Sequence, residues 1–143
     1  MIKRLVPLKI LLVDDEAYFR LFVANVLRRA ITCTVVEATN GHEAVALCQT
    51  GNPGLILLDI YMPELDGIQA LPQIRALKPA TPIVMLTSVS EETVVEQCVN
   101  LGATYFIRKD VHADLLQAEL QTMLRMFFPA QPEPNETLRT SPA

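Results

Sequence analysis

Residues Leu55–Gly67 read LILLDIYMPELDG. Four apolar residues run straight into Asp59, and Met62-Pro63 and a glycine-closed turn follow. An apolar run this short, bounded by Asn52-Pro53-Gly54 and Pro63, reads as a strand buried on both faces. Asp59 then sits where the strand leaves the core, and a carboxylate there is costly unless something pairs with it. The residues elsewhere in the chain that could do so are Asp14 and Asp15 together with a metal, Thr87, and Lys109.

The flanking sequence repeats the pattern. Lys9–Val13 is a first strand ending at Asp14-Asp15. Over residues 17–29, Phe19, Phe22, Val23, Val26 and Leu27 recur at helical spacing. Cys33–Glu37 is β-branched and reads as a second strand; Asn40, with Glu43 three residues on, caps a helix that stops at Gly51. After the Leu55–Leu58 strand, Asp66-Gly67 opens a helix to Leu77, which Pro72 deprives of one hydrogen bond, to the carbonyl of Ile68. Ile83–Leu86 is the fourth strand and ends at Thr87. Ser90 or Ser88 caps a helix through Leu101, which Gly102 stops. Thr104–Arg108 is the fifth strand, with Lys109 at its end, and a last helix covers 111–128. From Pro129 onward the chain holds four of the ten prolines and almost no apolar residues, which reads as a disordered tail or linker stub. The expected division is therefore a folded domain over 1–128 and this tail over 129–143.

Five strand–helix units in alternation imply a single doubly wound (βα)5 domain, an α/β fold with a five-stranded parallel sheet and helices on both faces. In such sheets ligands bind beyond the carboxyl ends of the strands, where strand order reverses. With the order 2-1-3-4-5 that point lies between strand one, ending in Asp14-Asp15, and strand three, ending in Asp59. Strand two, at the edge, ends in Ala38 and Thr39 and supplies no acid or base.

Composition limits the function. The chain has 143 residues, half of them hydrophobic, no Trp and 6% aromatics, so aliphatic layers must make the core. A net charge of −4 argues against a nucleic-acid or membrane-surface role, because phosphate binding needs a basic patch. Cys33, Cys48 and Cys98 form no CxxC and lie in apolar stretches, as core residues do in a reducing cytosol. Pro7, Lys9 and Asp14 interrupt the apolar N-terminus too early for a signal peptide or membrane span, so a cytoplasmic location is expected.

With these pieces in order, the sequence resembles a receiver domain of a bacterial response regulator, the chemotaxis-regulator type of two-component signalling protein. The matching pieces are VDDE at 13–16, LLDIYMPELDG at 57–67, LTS at 86–88 and GATYFIRK at 102–109. The resemblance implies that Asp59 is the phosphoacceptor and that Asp14, Asp15, Asp59 and the backbone carbonyl of Tyr61 hold Mg²⁺ or Mn²⁺. Thr87, with a weaker claim for Ser88, would bind phosphoryl oxygen, and Lys109 would bridge to Asp59 and then to the phosphoryl group. Phe106 takes the place of the family's rotating aromatic switch residue. The donor would be a phosphohistidine on a sensor histidine kinase or phosphotransfer protein, or a small phosphodonor such as acetyl phosphate. One departure is the residue after Lys109, which is Asp110 where the family often has proline in a cis peptide. A cis bond there would cost about 2.5–4 kcal/mol, so either this peptide is trans or the site stores strain.

The chemistry suits these residue types. Three ionised carboxylates raise one another's pKa, and a hard dication with oxygen ligands relieves them. Phosphoryl transfer to an aspartate then needs in-line positioning and charge stabilisation. Thr87 moving toward the phosphoryl group would vacate space for Phe106 and repack the face of the fourth helix, fifth strand and fifth helix. Val95, Val99 and Phe106 are the expected contact patch for a downstream protein, with the domain a monomer or a dimer formed on phosphorylation. Bulky Tyr61 and Val89, two residues past Asp59 and Thr87, are expected to slow hydrolysis.

Other readings compete. Singly, Asp59 is an ordinary turn residue, Asp14-Asp15 a helix cap, Thr87 a strand end, Lys109 a solvated cation and Phe106 a packing residue. A haloacid-dehalogenase-like, Mg-dependent aspartyl-phosphate phosphatase needs a second aspartate two residues after the first, where Tyr61 stands. A dinucleotide-binding domain would need GxGxxG after the first strand. A phosphorylation-independent adaptor would not need the acidic pair and Lys109. A receiver fragment of a DNA-binding response regulator remains an alternative, since lysine-aspartate also occurs in receivers tethered to helix-turn-helix domains.

Overall fold

A computed structural model describes residues 6–88 and 91–129. The elements alternate as expected: β1 (Leu8–Val13), α1 (Ala17–Ala30), β2 (Cys33–Ala38), α2 (Gly41–Thr50), β3 (Leu55–Asp59), α3 (Gly67–Leu77), β4 (Ile83–Thr87), α4 (Glu92–Asn100), β5 (Tyr105–Arg108) and α5 (Ala113–Phe127). The strands form one parallel sheet in the order β2-β1-β3-β4-β5.

Burial follows position in the sheet. Every residue of β3 and β4 is buried, which is why both read as unbroken apolar runs, whereas β2 at one edge alternates and is half exposed. Two cores result. Leu55, Leu57, Val84, Leu86 and Ile107 face α1 and α5, and Ile56, Leu58, Ile83 and Met85 face α2, α3 and α4. Cys48 and Cys98 are buried in the second core, and Cys33 is half-buried against the first.

Local capping sets the helix starts. Asn40 accepts from the Glu43 amide, and Asp66 with Gln69 forms a reciprocal capping box on α3. The α3 helix runs unbroken through Pro72. Gly67, its first residue, donates to the Ile60 carbonyl at 2.7 Å, and a Cβ at this position would lie 2.1 Å from the Asp59 carbonyl oxygen. Only glycine lets the α3 start sit this close to the end of β3.

The start of α4 differs from expectation. Its N-cap is Glu91, which makes no side-chain cap bond, and Ser88 lies in the bend after β4, too far back to cap. Ser90, the alternative cap, lies outside the described residues, as do Val89 and residues 130–143 of the expected tail. The α4 helix ends in a Schellman arrangement, Ala103 N–H to Cys98 and Gly102 N–H to Val99, with Gly102 at φ 105°. The Lys109–Asp110 peptide is trans. No helix among the described residues is long and apolar enough to cross a membrane.

Candidate functional site

Because β1 and β3 are neighbours whose connections leave in opposite directions, their carboxyl ends open a crevice. Asp14 follows β1 directly and is fully buried; Asp59 is the last residue of β3 and is 4% exposed; Asp15 points to solvent. Each offers a carboxylate oxygen, and these oxygens lie within 4.8 Å of one another. The backbone N–H of Lys109 donates to the Thr87 carbonyl at 2.8 Å, which ties the end of β5 to that of β4 and aims the lysine into the crevice. Lys109 Nζ lies 2.8 Å from Asp14 Oδ2, 3.3 Å from Asp59 Oδ2 and 3.2 Å from Glu16 Oε1.

One ammonium does not balance these acids. Burial, then the neighbouring Asp14 charge, push the Asp59 carboxyl up to about 7, against the pull of Lys109. Burial likewise raises Asp14 above the usual carboxylate range, although Lys109 and the Glu16 amide pull it down. Burial pulls Lys109 down, but Asp14, Asp59 and Glu16 more than offset this and leave its affinity for the proton raised. Asp14 Oδ1 accepts from the Glu16 amide at 2.8 Å, whereas its buried Oδ2 accepts no well-aligned hydrogen bond and meets Lys109 only as an ion pair. An under-bonded buried oxygen among three carboxylates, one of them facing water, fits a hard cation that takes oxygen ligands and keeps waters.

The other expected residues fall at defined distances along the fold. Thr87, 3% exposed, ends β4. Phe106 is half-buried against the α2–α4 core, in register with Met85, so it shares the face of Thr87 one pleat away. Ser88 is exposed in the bend after β4, and the Tyr61 side chain is about half exposed just past β3. Val99 is exposed on α4, whereas Val95 is half-buried, so the expected patch is less open than its spacing implied. His42 and His112 are exposed.

Three residues at the crevice escape a motif reading. Arg20 donates to the Asp14 carbonyl at 2.7 Å and pairs with Glu37 at 2.9 Å, bracing the β1–α1 turn. Phe19, legible only as an apolar helix residue, lies with its ring centroid 4.5 Å from Lys109 Nζ. Glu16 is the third acid of VDDE, and its position beside a second acid was the sole signal.

Residues 10–121 match the model of a family described as the response regulator receiver domain. The chemotaxis protein CheY of Listeria monocytogenes is 36% identical over 114 residues, covering 80% of this chain and 96% of that protein. Among solved structures, the response regulator domain of Thermotoga maritima CheB superposes with a TM-score of 0.77 at 30% identity, over 89% of this chain and all of that one. The Mn²⁺-bound form of response regulator Rcp1 gives a TM-score of 0.77 at 26% identity, over 90% of this chain and 99% of that one.

Proposed function

The chain belongs to the response regulator receiver family, and from that premise we propose that it is a phosphorylation-dependent switch whose phosphoacceptor is Asp59. The observation that carries this reading is the convergence of Asp14, Asp15, Asp59 and Lys109 at the carboxyl end of the sheet. The Asp59 carboxylate attacks the phosphorus of a phosphohistidine on a sensor histidine kinase or phosphotransfer protein. An O–P bond forms as the N–P bond breaks, and the imidazole leaves with the electron pair and takes a proton. Asp14, Asp15, Asp59 and the Tyr61 carbonyl would hold Mg²⁺ or Mn²⁺, which supplies charge neutralisation. The added phosphoryl group shifts the ammonium of Lys109 toward itself, and the Thr87 hydroxyl donates to a phosphoryl oxygen.

Thr87 and Phe106 share one face of adjacent strands, so movement of the first opens volume for the second. Turning Phe106 repacks it against α4, where Val95 and Val99 lie, and changes the α4–β5–α5 face offered to a downstream protein in the cytoplasm. The test is mass spectrometry after incubation with acetyl phosphate and Mg²⁺. Wild type should gain the mass of a phosphoryl group and Asp59→Asn should not; equal labelling of the two would refute the assignment.

A further inference from the structure

Glu16 occupies the N-cap of α1, a position where Ser, Thr, Asp or Asn would bond the free amides of the first turn. Its side chain makes no such bond. It reaches across the crevice to Lys109, 93 residues on in sequence, at 3.2 Å. The backbone amide of Glu16 meanwhile holds Asp14 Oδ1, and Phe19, one helical turn on, places its ring beside the same ammonium. Glu16 and Phe19 thus add two contacts to Lys109 Nζ, beside those it makes with Asp14 at 2.8 Å and Asp59 at 3.3 Å, and neither is the acceptor or a cation ligand.

The charge count gives these contacts a consequence. With a dication bound, the three carboxylates and Lys109 would sum to zero, and Glu16 would leave the site net negative by one charge. The Glu16 side chain is about two-thirds exposed beside the crevice. We propose that Glu16 is a positioning residue that restrains Lys109 and so holds back phosphoryl uptake from free anionic donors. This rests on Asp59 being the phosphoacceptor. With acetyl phosphate the donor's O–P bond breaks, the Asp59 O–P bond forms, and acetate leaves with the electron pair. Lys109 must leave Glu16 to follow the incoming charge, and Glu16 repels the dianionic donor on approach. Phe19 acts in the opposite sense, because its ring keeps the ammonium over the site without neutralising it.

The experiment measures the rate of aspartyl phosphate formation from acetyl phosphate, at saturating Mg²⁺, for wild type, Glu16→Gln and Phe19→Leu. Glu16→Gln should be faster by about three- to tenfold at low salt, and the gain should shrink at about 0.5 M ionic strength, where exposed charges are screened. Phe19→Leu should be slower by about two- to fivefold, with little dependence on salt. A merely structural role for Glu16 would move the thermal midpoint and not a salt-dependent rate. Labelled wild type with Glu16→Gln at the same or a lower rate at low salt would overturn the assignment of Glu16 alone. Unlabelled wild type would overturn the phosphoacceptor reading and this inference with it.

Discussion

Two cations hold the two ends of this sheet, and their surroundings are opposite in kind. At the amino end of β4 and β5, Arg75 of α3 donates to the carbonyls of Gly102, Lys78, Pro79 and Thr81 and to the Thr104 hydroxyl, over 2.6–3.3 Å. Every acceptor there is neutral, and burial lowers the arginine's proton affinity with no acid to oppose it. At the carboxyl end, Lys109 faces Asp14, Asp59 and Glu16, which outnumber it. The first site fits its cation's donors to carbonyls and fixes two loops. The second is short of positive charge, and Asp14 and Asp59 are both harder to ionise than usual. A surplus of buried acid over base is what separates a site built to receive a cation from one built only to hold the fold.

The largest effect should come from the satisfied end. Arg75→Ala removes the guanidinium from five acceptors, of which the Lys78 carbonyl and the Thr104 hydroxyl keep a backbone N–H donor, and should cost on the order of 3 kcal/mol of stability. The loss, measured by urea unfolding, should be the same at pH 6 and pH 8, because no acid in that clamp titrates; a strongly pH-dependent loss would break the contrast. Gly67→Ala comes next. Its new Cβ would meet the Asp59 carbonyl at 2.1 Å, so the start of α3 or the end of β3 must shift. A loss of about 2 kcal/mol with a weakened Mg²⁺ affinity is expected, and unchanged affinity would show that the crevice tolerates the shift.

The smallest effect is the pH slope of the metal-free protein. A carboxyl raised from 3.8 to about 7 binds its proton more tightly folded than unfolded. Stability from this group is therefore highest near pH 4 and falls as pH rises toward 7, the reverse of a salt-bridged aspartate. Asp59→Asn should remove this slope and leave the metal-free protein more stable than wild type at pH 8, by on the order of 1–2 kcal/mol. Thermal melts at pH 5 and pH 8 in a chelator check it; a wild type that gains stability across that range would contradict the sign.

How much of this was legible depends on the range of each interaction. The β3 strand and its terminal Asp59 stand out because a central parallel strand has no polar face, and the α2 cap because Asn40 and Glu43 are three residues apart. The alternation of strands and helices implied a parallel sheet and left its strand order as a condition; with the order 2-1-3-4-5 that the structure has, Asp14, Asp15 and Asp59 meet where the expectation put them. The Arg75 clamp, the Arg20 bond to the Asp14 carbonyl and the Glu16 contact leave no such trace. Each joins residues through a long side chain, often to a backbone atom, and no periodicity records it. The start of α4 was misplaced because a serine is a better cap than the glutamate that holds the position, so local preference pointed to the wrong residue.

The central claim is that the acids at the carboxyl end of the sheet are in excess and need a dication. Calorimetric titration of the metal-free protein with Mg²⁺ near pH 7, in two buffers of different ionisation enthalpy, tests it directly. The account predicts binding that releases a fraction of a proton as Asp59 ionises, tightens from pH 6 to pH 8 and is lost in Asp14→Asn. Binding without proton release, or with the same affinity after Asp14→Asn, would contradict it.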